Sequence, residues 1–179
     1  MLKRFLFLVL PIYLVSFLNA KGQDTIVKVK WYSFQEALEL NKTNPKKFII
    51  DVYTDWCHYC KLMDQNTFSD PSIVKYLNEH YYPVKFNAEG KDTIKFADRI
   101  FVNKNTGSRS PHDFAVALLQ GQLSYPSIAF MNEQIQLMTV VPGYRTPDQM
   151  SPILIFLAED YFKTTNFDEF MKTGKSIPK

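Results

Sequence analysis

The chain is 179 residues long, 46% hydrophobic and 15% aromatic, with a formal net charge of +3 and two cysteines. That length suits one domain with a substantial core, and the interspersed lysines and acids exclude the basic face of a nucleic-acid binder. The only two cysteines fall together in one C-x-x-C motif, which leaves none to staple distant parts of the chain, so the fold stands on apolar packing, and no repeat or low-complexity segment interrupts it.

The chain opens Met1-Leu2-Lys3-Arg4, runs apolar over residues 5–18 and continues Asn19-Ala20-Lys21-Gly22, the order of a secretory signal. The run is shorter than the roughly 20 residues of a membrane span, and Pro11 interrupts it. Ala20 and Gly22 both suit cleavage. The expectation is a signal peptide over residues 1–22, a domain over residues 23–179 and a periplasmic or secreted location, with an uncleaved N-terminal anchor as the other outcome. Once the leader is cleaved, no stable membrane insertion is expected.

Residues 26–31 alternate like a short strand, and Ser33-Phe34-Gln35-Glu36 forms a capping box that opens a helix to about Asn41, ended by Asn44-Pro45. Residues 48–53, Phe-Ile-Ile-Asp-Val-Tyr, read as a buried central strand that leads into Cys57-His58-Tyr59-Cys60. Tyr59, Leu62, Met63 and Asn66 keep helical spacing afterwards, which puts both cysteines at a strand-to-helix junction. Free amides and the positive end of the helix dipole there favour thiolate, drawing a cysteine pKa from about 8.5 into a range of roughly 3.5 to 7.5. A structural zinc site lacks an obvious fourth ligand, and haem attachment needs a histidine where Lys61 stands. Dithiol chemistry, a metal site and two inert buried thiols are the readings this spacing allows, and its setting beside strands and helices favours the first.

Asp70 caps a third helix with Pro71 at its first position, burying Ile73, Val74 and Leu77, and residues 81–87 form the next strand. The two strands joined by helices make a βαβ unit, hence parallel neighbours with a right-handed crossover. Ile94, Phe96, Ile100 and Val102 flank Asp98-Arg99 like a small hairpin with one packed face, closed by Asn105-Thr106-Gly107. Ser110-Pro111-His112-Asp113 starts another helix with an apolar body over residues 114–119 and Gly121 as its C′ residue. Residues 127–131 and 137–141 read as an antiparallel hairpin at the sheet edge. Thr146-Pro147-Asp148-Gln149 caps a final helix through Phe162, with Pro152 as a kink or a sign of a delayed start at Ser151.

Asp55-Trp56-Cys57, then Cys60-Lys61, behind a hydrophobic strand, resembles the thioredoxin superfamily. Over most of the chain the element order is similar too, and the chain looks more like exported bacterial thioredoxin-like proteins and the thioredoxin-like domain of transmembrane thiol reductases than like thioredoxin itself. The resemblance implies an α/β thioredoxin-like fold: a central mixed sheet flanked by helices, here with a hairpin and helix inserted before the cis-proline loop. It implies Cys57 as the more exposed, attacking thiol and Cys60 as the resolving one. Asp51 matches the family's buried proton acceptor and Lys85 the lysine that pairs with it; the plainer reading of Asp51 is a strand-end residue facing solvent. Trp56 matches the tryptophan that walls the site, although a mere core aromatic would look the same. His58 and Tyr59 occupy the positions that tune thiolate stability, or, for His58, a solvent-exposed place with little effect. Tyr125-Pro126 matches the cis-proline loop, whose main chain pairs with extended substrate.

The resemblance thus implies a thiol-disulfide oxidoreductase that reduces or isomerises protein disulfides and is re-reduced by a membrane thiol-reductant partner. No cofactor beyond the Cys57/Cys60 pair and no metal is expected. The alternative is a polypeptide-binding module of the same fold without turnover. The insertion over residues 90–121 either selects partners or covers an open sheet edge.

Overall fold

The computed structural model describes residues 27–178, so the leader expected over residues 1–22 lies outside the described residues. Lys47–Tyr53 (β1) is buried along almost its whole length, as its unbroken apolar run demands of a strand covered on both faces. It pairs in parallel with Tyr81–Asn87 (β2) and antiparallel with Ser127–Met131 (β5), which pairs antiparallel with Leu137–Pro142 (β6). The order β2-β1-β5-β6 makes the expected mixed sheet with β6 at one edge.

Helices cover both faces. Phe34–Asn41 (α1), which carries the full Ser33/Glu36 capping box, lies on the side of Phe48, Ile50 and Val52. His58–Asn66 (α2), Pro71–His80 (α3) and Pro147–Ala158 (α5) contribute Met63, Leu77 and Leu154 to the core on the side of Ile49. Strand alternation puts Asp51 on the same side as Ile49, toward α2. Asp70 caps α3 through the amides of Ser72 and Ile73.

Three sequence expectations need correction. Residues 27–31 form no strand, and only Tyr32 bridges to β2, at Val84; Ile26 lies outside the described residues. Tyr32 donates to the Pro83 carbonyl at 2.8 Å, and one rung further back the ladder would need an N–H that Pro83 lacks. Instead Asn78 of α3 holds the segment, accepting from Lys30 N at 2.8 Å and donating to Lys28 O at 3.0 Å.

The second concerns the inserted hairpin, Ile94–Phe96 (β3) and Arg99–Phe101 (β4). Its two-residue turn is Ala97-Asp98, both with positive φ, one position earlier than expected. With Ile94 opposite Phe101, that register buries Ile94 and Phe101 while Ile100 and Val102 face solvent. The insertion then packs into the second core: Phe114 of Asp113–Leu118 (α4) meets the rings of Phe34, Phe86, Phe96 and Phe101. His112, fully buried, caps α4, its Nδ1 accepting from Phe114 N at 3.0 Å and its Nε2 donating to Asp92 O at 2.7 Å.

The third is the last helix. α5 starts at Pro147, runs through Pro152 and ends at Ala158, short of Phe162. Asp160 turns left-handed (φ 60°) and meets the buried Lys47 ammonium at 2.9 Å, after which come a 3₁₀ turn, Tyr161–Lys163, and Phe167–Met171 (α6).

Candidate active site

Cys57 is the N-cap of α2 and Cys60 lies in its first turn, so the helix sets both sulfurs at its amino end. They are joined as a disulfide with Cα atoms 5.3 Å apart. The Cys57 sulfur accepts from Cys60 N at 3.1 Å, and the first turn carries no acidic side chain to compete for the positive end of the helix. Both residues are buried, at 4% and 2% exposure, so the expected contrast in access is slight in the oxidised pair.

Asp51 is fully buried and stands directly across the ladder from Lys85. Lys85 Nζ donates to Asp51 Oδ2 at 2.6 Å and to Asp64 Oδ1 of α2, and lies 5.0 Å from the centre of the Trp31 ring. Burial pushes the Asp51 carboxyl up to about 6, with the Lys85 charge opposing. Burial pulls the Lys85 ammonium down, but the carboxylates of Asp51 and Asp64 outweigh it and leave it raised. Asp51 is therefore mostly ionised at neutral pH. Its second oxygen, Oδ1, is buried and has no hydrogen-bond partner among the described residues. A cleft of about 470 Å³, lined in part by Trp31, Asp64, Phe68 and Lys85, reaches the Lys85 side of the pair, while Asp51 itself stays out of it.

The Tyr125-Pro126 peptide bond is cis. Ser127 pairs with Val52, so the register sets Pro126 level with the end of β1 that leads into the cysteines. The Tyr125 and Trp56 rings meet nearly at right angles, their centres 6.0 Å apart. Trp56 is no core residue: it is 48% exposed, and its Nε1 donates to Glu89 Oε1 at 2.9 Å. His58 and Tyr59 are exposed, and Tyr59 faces Tyr144 at 6.3 Å. Two pairs of aromatic rings thus accompany the cysteine turn, Trp56 with Tyr125 and Tyr59 with Tyr144.

Sequence reasoning named the cysteines, Asp51, Lys85, Trp56 and Tyr125-Pro126, which the fold brings to one end of β1. It missed Asp64, although four residues after Cys60 on a helix is a readable spacing. It also missed Glu89, Arg109 and Tyr144, which arrive from loops with no local signal; the Arg109 guanidinium lies 4.5 Å from the centre of the Trp56 ring. Among the described residues, no cluster of three or more His, Cys, Asp or Glu side chains is arranged to hold a metal ion, and no helix is long and apolar enough to cross a membrane.

The chain is similar to two proteins named thiol:disulfide interchange protein DsbD. It is 25% identical over 120 residues to that of Haemophilus influenzae, covering 65% of this chain and 17% of that one. It is 29% identical over 91 residues to that of Escherichia coli K12, covering 51% and 13%. The chain thus spans less than a fifth of the length of these relatives. In three dimensions it superposes on a thioredoxin-fold protein from Helicobacter pylori with a TM-score of 0.54 at 16% identity, covering 73% of this chain and 80% of that one. Residues 34–158, well over half of the chain, match the family model of the thioredoxin-like domain, and the protein belongs to that family.

Proposed function

We propose that the Cys57/Cys60 pair is a working dithiol/disulfide couple that reduces or isomerises disulfides of polypeptide substrates. The observation that carries this reading is the buried Asp51 carboxylate, held through one oxygen by Lys85 and with the other unpartnered, behind a disulfide capping α2. A buried polar atom left without a partner costs about 1–3 kcal/mol, which a role in proton transfer would explain.

In the reducing direction, the Cys57 thiolate attacks one sulfur of the substrate disulfide and expels the other as thiolate, leaving a Cys57–substrate mixed disulfide. Cys60 then gives its proton to Asp51 and attacks the Cys57 sulfur. The Cys57–Cys60 disulfide closes, the second substrate thiolate leaves, and two electrons have passed to the substrate. Asp51, mostly ionised near neutral pH, is matched to accept that proton. The main chain of Tyr125 offers strand pairing to extended substrate, with the exposed rings of Trp56 and Tyr59 next to the cysteines for it to pack on. His58, beside Cys57, adds positive charge to the thiolate when protonated.

Residues 1–22 act as a signal peptide and residues 23–179 as the exported working domain, in the periplasm or outside the cell. Each turnover leaves the pair oxidised, so a partner must return two electrons; the likeness to thiol:disulfide interchange proteins supports a thiol reductant in that role, and a membrane protein is the partner proposed. Insulin reduction in dithiothreitol tests the proposal: the protein accelerates precipitation of the freed chains, and Cys57→Ser does not. Rates equal to dithiothreitol alone would leave a polypeptide-binding module.

A further inference from the structure

The insertion does more than pack. After β4 it forms a loop over residues 103–110 that Asn103 closes on itself: its Nδ2 donates to Ser110 O at 2.7 Å and to Glu89 O at 3.0 Å, and its Oδ1 accepts from Asn105 N at 2.9 Å. Thr106 N donates to Ser110 Oγ at 3.2 Å. The loop is thus fastened to the turn after β2, where Glu89 binds the indole N–H of Trp56. From it Arg109 lays its guanidinium over the same indole, 4.5 Å from the ring centre.

Three features separate this contact from a chance surface arginine. Arg109 holds φ at +65°, a left-handed conformation that a non-glycine residue takes at a cost, with Gly107 two positions away. The loop carries two cations, Lys104 and Arg109, and no acid; Lys104 pairs with Asp113, whereas Arg109 joins none of the ion pairs seen among the described residues. Finally, Glu89 meets Trp56 in the plane of the ring and Arg109 over its face, so the nearby carboxylate is engaged from another direction. A guanidinium stacked on an aromatic face keeps its N–H fork free for a carboxylate, with little further ordering on binding.

We propose that Arg109 is a specificity-determining residue that favours polypeptide disulfides with an aspartate or glutamate next to the reacting cysteine. This rests on the oxidoreductase reading above. Trp56 directly precedes Cys57, so a segment crossing the sulfurs along Tyr125 passes the Arg109 guanidinium within a residue or two of its own cysteine. The occupant is acidic because the loop offers positive charge and an exposed ring at that point. Lys61, exposed after Cys60, adds charge of the same sign.

The test uses two disulfide-linked peptides that differ only in carrying Glu or Lys beside the cysteine, with neutral hydroxyethyl disulfide as control. The wild-type protein reduces the Glu peptide about two- to fivefold faster than the Lys peptide, as an exposed ion pair allows. The preference fades as salt rises toward about 1 M. Arg109→Lys keeps its sign, Arg109→Gln levels it and Arg109→Glu inverts it, with hydroxyethyl disulfide reduction and melting temperature unchanged. A ratio that does not move in Arg109→Glu, or reduction of hydroxyethyl disulfide alone, overturns the proposal. Failure to reduce hydroxyethyl disulfide at all removes the oxidoreductase reading, and this inference with it.

Discussion

The βαβ unit that carries the cysteines and the insertion that follows it solve different problems with different residues. From β1 to β2 every chemical group sits on a regular element: Asp51 and Lys85 across one ladder, Cys57 and Cys60 at one helix end, Asp64 on the same helix. Charge is buried there at a cost. The insertion buries none of its cations: its inner face is a cluster of phenylalanines around Phe114, and its lysines and arginines stand outside, on and beside the hairpin and on the loop after it. On the reading proposed above, a redox pair needs proton-accepting groups held rigidly, which strands and helices provide, whereas a loop that selects partners needs only to be presented.

The largest expected effects sharpen the first half of that contrast. Cys57→Ser abolishes disulfide exchange, and Cys60→Ser halts it at the mixed disulfide, which accumulates with substrate and is seen by non-reducing electrophoresis or mass spectrometry. Loss of exchange without any trapped species in Cys60→Ser would remove the assignment of Cys60 as the resolving thiol.

Next comes the inner face of the insertion. Phe114→Ala empties a site walled by four other rings and should cost about 3–5 kcal/mol in urea unfolding. Replacing residues 104–109 with a short Gly/Ser link should cost under about 1 kcal/mol, since exposed loop contacts contribute little. Comparable losses from the two changes would erase the distinction between packed face and presenting loop.

Asp51→Asn probes the buried charge. The folded Asp51 carboxyl is raised to about 6 from an ordinary 3.8, so the folded state binds the proton more tightly than the unfolded chain does. Its contribution is therefore fully present below the ordinary value and is lost as pH rises toward 6, by about 3 kcal/mol at one pKa unit per 1.36 kcal/mol. Asp51→Asn should be the more stable protein at pH 7 by about 1–3 kcal/mol, and equal to wild type near pH 4. It should also reduce substrate more slowly. A stability difference that does not change with pH would mean that the Asp51 charge is not the source.

Most of the fold was legible in the sequence because its signals are local: the Ser33/Glu36 and Thr146/Gln149 capping boxes, Asp70-Pro71, and the apolar runs of β1 and β5 each set their own element. The errors arose where distant residues decide. The strand expected before Tyr32 fails because Pro83, some fifty positions on, cannot donate to it. The last helix stops early where Asp160 turns to reach Lys47 of β1. At the site, the cysteines, Asp51 and Lys85 were found through a resemblance tied to short motifs. Arg109 and Glu89 meet Trp56 only through tertiary placement and leave no mark in spacing.

The central claim, that Cys57 and Cys60 turn over as a couple, is tested most directly by equilibrating the protein with glutathione buffers of stepped ratio and counting alkylated thiols by mass. The account predicts one reversible two-electron transition between the disulfide and the dithiol, at a potential more reducing than that of a strong disulfide donor such as a bacterial oxidase at about −120 mV, with roughly 30 mV marking each tenfold step in the equilibrium constant. A pair that stays oxidised at every ratio, with no mixed disulfide formed, would contradict it.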